Sequence, residues 1–188
     1  MPIKPGYEKF LEGHANQLRL MCQLPPFARL DPFILARKMN MLVSYVDETC
    51  GLPVEMLGAI FDDTGGSWDA GTLKLPDGRV RVFMNPTKIK ERQHATLMEE
   101  IAHIKLGHKP SEIVQHGNIA FRTVSKSTES QAYWLGATAL LPTRILKGAF
   151  TLNKSVQQLA AEHQVSEELV RFRCTVAGIS LRNEQILV

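Results

Sequence analysis

Residues 95–106 read Ala-Thr-Leu-Met-Glu-Glu-Ile-Ala-His-Ile-Lys-Leu, a helical stretch that is apolar on nearly every side. Such a helix is buried in a folded protein. Two carboxylates and an imidazole in its middle are costly there unless something compensates, and a divalent cation would do so. Within it, Leu97–His103 is one substitution from H-E-x-x-H, whose outer positions share a helix face and whose Glu acts as general base on a metal-bound water. His103 and Glu100 stand where that pattern wants them, and Glu99 stands where its first histidine would be. Positions four apart differ by roughly 40° around the axis, so Glu99 and His103 can reach one ion. Glu100 is offset by a further ~100° and lies beside that ion, placed as a base.

The rest of the composition narrows the classes. A chain of 188 residues with 44% hydrophobic and 22% charged content suits one domain with a real core, or one domain with a small helical appendage. The net charge of +3 comes from dispersed basic residues, with no run resembling a nucleic-acid arm. Three widely spaced cysteines (Cys22, Cys50 and Cys174) make neither a disulfide framework nor a zinc knuckle. Cys50 and Cys174 read as small core residues. A reduced, cytoplasmic setting is expected. No signal-peptide core and no membrane-spanning stretch is present in the sequence.

Along the chain, residues 1–30 carry little readable pattern apart from Leu24-Pro25-Pro26-Phe27, a turn or extended entry. Asp31-Pro32 has the form of an N-cap followed by proline at N1. The apolar series Phe33, Leu35, Ala36, Met39, Leu42, Val43 and Val46 predicts one continuous helix, ended by Gly51-Leu52-Pro53. Residues 54–85 predict a small antiparallel sheet, with turns at Asp62-Asp63-Thr64-Gly65-Gly66 and Pro76-Asp77-Gly78. The strand Arg79–Met84 alternates and should bury one face. The central helix is expected from about Glu91 to Leu106, with Gly107 as its left-handed cap. Residues 109–128 read as irregular, with a short apolar patch at Ile119-Ala120-Phe121. Thr128-x-x-Gln131 is a capping box for a helix ending before Pro142, and Ser155 with Gln158, then Ser166, cap two final helices.

A third ligand should come from another element, and Glu129 is the best candidate. Ala132, Gly136 and Ala139 follow it on one stripe, and small residues on one face allow a close helix neighbour. If that neighbour carries Glu99 and His103, the three side chains converge. The order of features then resembles the ImmA/IrrE family of metallo-endopeptidases. The matching residues are Val80–Asn85, Arg92, Thr96-Leu97, Glu100, His103, His108, Glu129-x-x-Ala132 and Leu140-Leu141-Pro142, across roughly residues 35–175. The resemblance implies an α+β, zincin-like minimal metallopeptidase fold, helix-rich with a small antiparallel sheet and a C-terminal helix pair. It implies a metallopeptidase-like domain over residues 1–150, with 151–188 packed on it as one structural unit. Known members of that family are cytosolic and cleave helix-turn-helix repressors. Carried onto this chain, the base is Glu100, the second histidine ligand is His103 and the glutamate ligand is Glu129.

Two positions depart from that family: Glu99 replaces the first zinc histidine, and Leu135-Gly136 replaces its usual Phe-Ala. Two carboxylates and one imidazole make a harder, more anionic site, which holds Zn²⁺ but also suits Mn²⁺ or Fe²⁺. The added negative charge should lower the Lewis acidity of the ion and slow hydrolysis. The plainer alternative is that Glu99 and His103 are an i,i+4 pair worth a few tenths of a kcal/mol, in a non-catalytic relative that binds a regulator protein without cutting it.

Other features carry less. His94, roughly 180° from His103, is not expected to be a ligand. His108, beyond the glycine cap, reads as a capping or surface histidine, with contact to the site as the alternative. Tyr133 and Trp134 read as core, or as the wall of a peptide groove. Residues 155–179 resemble a helix-turn-helix, but Glu167 and Glu168 occupy the positions a DNA reader would make basic or amide. Only Arg171 and Arg173 lie nearby, so a structural pair is favoured over a DNA-binding regulator, and the expected partner is a protein.

Overall fold

The computed structural model describes residues 6–46, 69–108, 112–116, 119–123 and 126–181. The elements run α1 (Tyr7–Met21), α2 (Pro32–Lys38), β1 (Leu42–Tyr45), β2 (Ala70–Lys74), β3 (Val80–Met84), α3 (Lys90–Lys105), β4 (Glu112–His116), β5 (Ile119–Thr123), α4 (Lys126–Leu140), α5 (Thr143–Thr151), α6 (Val156–His163) and α7 (Glu167–Ala177). The fold is α+β and helix-rich, with a small sheet.

The start of α2 follows its sequence signal: Asp31 caps it by accepting from the Phe33 and Ile34 amides, with Pro32 at N1. Its end does not. The expected helix through Val46 stops at Lys38, because Asn40 takes a left-handed conformation (φ 57°). The amides of Met41 and Asn40 then bond back to the Ala36 and Arg37 carbonyls, closing the terminus as a Schellman motif. Leu42 and Val43 therefore lie in β1. The short apolar run fits helix and strand periodicity alike, and the β-branched content favours the strand.

The sheet is mixed rather than antiparallel. Its order is β1-β3-β2, with β1 parallel and β2 antiparallel to β3. The Pro76-Asp77-Gly78 turn joins β2 and β3 as expected, with Gly78 at φ 85°. Since β3 is central, Val82, Phe83 and Met84 are all buried rather than alternate. Residues 112–116 and 119–123, expected to be irregular, pair instead as antiparallel strands β4 and β5, and β5 approaches β2. The proposed break at Gly51–Pro53, the turn at Asp62–Gly66 and Cys50 lie outside the described residues. Helix α4 starts at Lys126, so Thr128 sits inside its first turn rather than capping it. Helices α1 and α5 had no distinct sequence signal.

The core sits where α3, α4 and α1 meet, with Leu97, Met98 and Ile101 packed among Leu11, Leu18 and Leu135. The small-residue stripe has a measurable purpose here. A Cβ added at Gly136 would lie 3.3 Å from the backbone and Cβ of Met98, so α3 and α4 touch at the place the site requires. The far end of α4 is buried, and its last carbonyls need donors. Two buried arginines supply them: Arg19 Nη1 donates to the Ala139 carbonyl at 3.0 Å, and Arg173 Nε to the Leu141 carbonyl at 2.9 Å. Cations at a helix C-terminus also meet its dipole favourably. The caps of α6 and α7 are as expected, with a full capping box at Ser155/Gln158 and Ser166 accepting from the Leu169 amide. Leu159, Val165 and Leu169 of this pair belong to the same core as Leu97 and Met98. Among the described residues, no helix is long and apolar enough to cross a membrane.

Candidate metal centre

Helix α3 presents two faces. His94 is buried on one, with Nδ1 3.2 Å from the Gln164 carbonyl and its ring edge-on to Phe33, well away from the candidate donors. Glu99, Glu100 and His103 lie on the other, partly buried.

The convergence expected of His103 and Glu129 is present. His103 Nε2 lies 3.6 Å from Glu129 Oε1, across the contact that Gly136 and Met98 make possible. That gap exceeds an N–H···O hydrogen bond. Two donors each about 2.1 Å from a tetrahedral zinc lie roughly 3.4 Å apart, close to the spacing seen. Burial pushes the His103 imidazole below its ordinary range, against the opposing pull of the Glu129 carboxylate. A neutral imidazole beside a carboxylate is the donor chemistry a divalent cation takes.

Glu99 does not complete a group of three. Among the described residues, no set of three or more His, Cys, Asp or Glu side chains is close enough to hold a metal ion. The Glu99 carboxyl is pushed up to about 7, chiefly by burial, with Arg92 opposing and Glu129, Glu100 and Asp69 adding repulsion. Arg92 is engaged elsewhere, 2.5 Å from Asp69 Oδ2, with Lys88 Nζ 3.6 Å from Oδ1. Burial alone would raise Asp69, but these cations hold it below the usual carboxylate range. The fit to a metal is thus met in position by His103 and Glu129 and in chemical kind by Glu99.

Glu100 is oriented from the sheet: Thr72 Oγ1 on β2 donates to its Oε2 at 2.6 Å. Sequence reading missed that partner, which lies 28 positions earlier and on a strand rather than on the helix itself. His108 departs from its favoured reading and takes the alternative, contact with the site. It is neither a cap nor a surface group, for its Nδ1 lies 3.0 Å from His103 Nδ1 and its Nε2 3.2 Å from Gln131 Oε1. The signal that places it is Gly107. With Gly107 left-handed (φ 66°), its amide bonds to the Ile104 carbonyl and the His108 amide to the His103 carbonyl, a Schellman motif that folds residue 108 back over residue 103. Trp134 meets Tyr7 edge-on and packs against the core, and Tyr133 packs on Phe172 with ring centroids 4.9 Å apart.

The family model of the IrrE N-terminal-like domain (Peptidase_M78) matches residues 61–175, more than half of the chain. The chain belongs to the IrrE N-terminal-like domain family. The matched span includes β2, β3, the two candidate metal helices and most of the C-terminal pair. A solved structure of a Mycobacterium tuberculosis transcriptional regulator is similar, with TM-score 0.50 and 14% identity. The similarity covers 88% of this chain and 46% of that one, so this chain spans less than half of the regulator's length. At that identity the likeness concerns the fold. No curated protein matches.

Proposed function

We propose that the chain is a metal-dependent endopeptidase-like protein that acts on a transcription regulator, with His103 and Glu129 as converging metal donors and Glu100 as base, and with Glu99, which does not group with those two donors in the structure, drawn in as the third when an ion binds. The observation that carries this reading is the 3.6 Å approach of His103 Nε2 and Glu129 Oε1 from separate helices. A bound divalent cation, zinc first and manganese or iron as alternatives, would supply Lewis acidity and a more acidic water. The chain supplies the rest. Thr72 holds the Glu100 carboxylate in place to take a proton. The carboxylate of Glu99 adds negative charge that tempers the acidity of whatever ion is held. The regulator setting rests on family membership and on the similar structure being that of a transcriptional regulator; a helix-turn-helix repressor is the proposed substrate and the cytoplasm the proposed compartment.

One observation favours a second reading, a relative that binds a regulator without cutting it: the described residues hold no group of three donors, and Glu99 stands where the H-E-x-x-H pattern has a histidine. A single variant separates the two. Glu100→Gln in the metal-loaded protein should abolish cleavage of a helix-turn-helix repressor, read by mass spectrometry of fragments, while leaving metal content unchanged. A binder would retain its effect on the regulator in the same variant. DNA recognition by residues 155–179 is not supported, because Arg173, one of its two available cations, is fully buried against Leu141 and Glu12.

A further inference from the structure

The second nitrogen of His103 has a partner that no metal role assigns, and that partner has one of its own. We infer that Gln131 and His108 form a relay that fixes the tautomer of His103 and so aims its Nε2 lone pair at Glu129. The inference rests on reading His103 as a metal donor.

Hydrogen-bond parity fixes the protons along the chain of rings. His108 Nδ1 and His103 Nδ1 lie 3.0 Å apart, so one carries the proton and the other accepts it. The choice is made at the far end. His108 Nε2 faces Gln131 Oε1 at 3.2 Å, and an amide oxygen only accepts. His108 therefore carries its proton on Nε2 and leaves Nδ1 as the acceptor. His103 must then carry its proton on Nδ1, which leaves Nε2 with a lone pair. That nitrogen is the one facing Glu129. Two acceptors facing each other across 3.6 Å make a pocket for a cation. The relay is built into the fold: the Schellman turn at Gly107 sets His108 over His103. Gln131 lies two residues beyond Glu129 on α4, so the helix that brings the carboxylate also brings the amide. Outer partners that fix a ligating histidine in this way typically change metal affinity by about 10–100-fold when lost. His108 and Gln131 are positioning residues, since neither is placed to touch the ion.

The test reads the tautomer directly, in metal-free full-length protein, from the ring nitrogen shifts of His103 by NMR, assigned with His103→Gln. The expected result is a proton on Nδ1 of His103 and on Nε2 of His108. Gln131→Met removes the terminal acceptor and should mix the His103 tautomers, whereas Gln131→Glu keeps an acceptor and should preserve them. His108→Phe should mix them as well, and should weaken zinc binding by about 10–100-fold. Gln131 is only partly buried, so its variants are expected to fold even if His108→Phe does not. A proton on His103 Nε2 in the unmodified protein, or an unchanged tautomer in Gln131→Met, overturns the relay. If the tautomers follow expectation but the unmodified chain takes up no metal, the relay stands and the metallopeptidase reading falls.

Discussion

Glu99 stands where the H-E-x-x-H pattern has its first histidine, and its environment gives that difference a measurable sign. Its carboxyl is pushed from an ordinary 4.5 to about 7, first by burial and then by neighbouring carboxylates. Raising the pH strips the proton from the unfolded chain before the folded one. The favourable contribution is therefore fully present below 4.5 and is lost as pH rises through 7. The metal-free protein should lose up to about 3 kcal/mol of stability across that window. Glu99→Gln should flatten the slope and make the protein more stable than its parent at pH 8, as measured by urea denaturation. An unchanged pH dependence in that variant would show that Glu99 already sits ionised against Arg92.

At the scale of elements, the site exists because α3 and α4 come unusually close. Gly136 is the cause, since a Cβ there meets the Met98 backbone at 3.3 Å. Gly136→Val should cost about 1–3 kcal/mol through overpacking and should reduce metal uptake by parting His103 from Glu129. Gly13 provides the control: it lies in α1 with nothing within 4 Å, so Gly13→Ala should stabilise by up to about 1 kcal/mol. Denaturant titration of the two variants reads both signs. The same elements show what the sequence disclosed. The stripe behind Glu129 and the caps at Asp31, Gly107, Ser155 and Ser166 are local signals, and each marks a real feature. The stop of α2 at Lys38 depends on Asn40 turning left-handed, which a periodic apolar series hides. The β4–β5 pairing and the parallel pairing of β1 with β3 depend on partners far along the chain. Thr72 was missed for that same reason, whereas His108 reads first as a cap or surface group although the local turn at Gly107 sets it over His103.

At the scale of the whole molecule, helix α4, which carries Glu129, is anchored at its buried end by two arginines drawn from opposite ends of the chain. Arg173 is fully buried and bonds the Leu141 carbonyl, Glu12 and Thr143, tying α7, α1 and the start of α5 to that helix. Arg173→Ala leaves a carbonyl and a carboxylate without their cation and should cost about 3–5 kcal/mol, with one cooperative transition when unfolding is followed by tryptophan fluorescence and circular dichroism. The C-terminal pair thus packs as structural support for α4. What remains decisive is whether the two helices hold an ion between them. Metal content of protein purified without chelators should be stoichiometric in the parent chain and lost in both His103→Ala and Glu129→Ala. A parent chain with no divalent metal, or a Glu129→Ala variant that keeps it, would contradict the shared site.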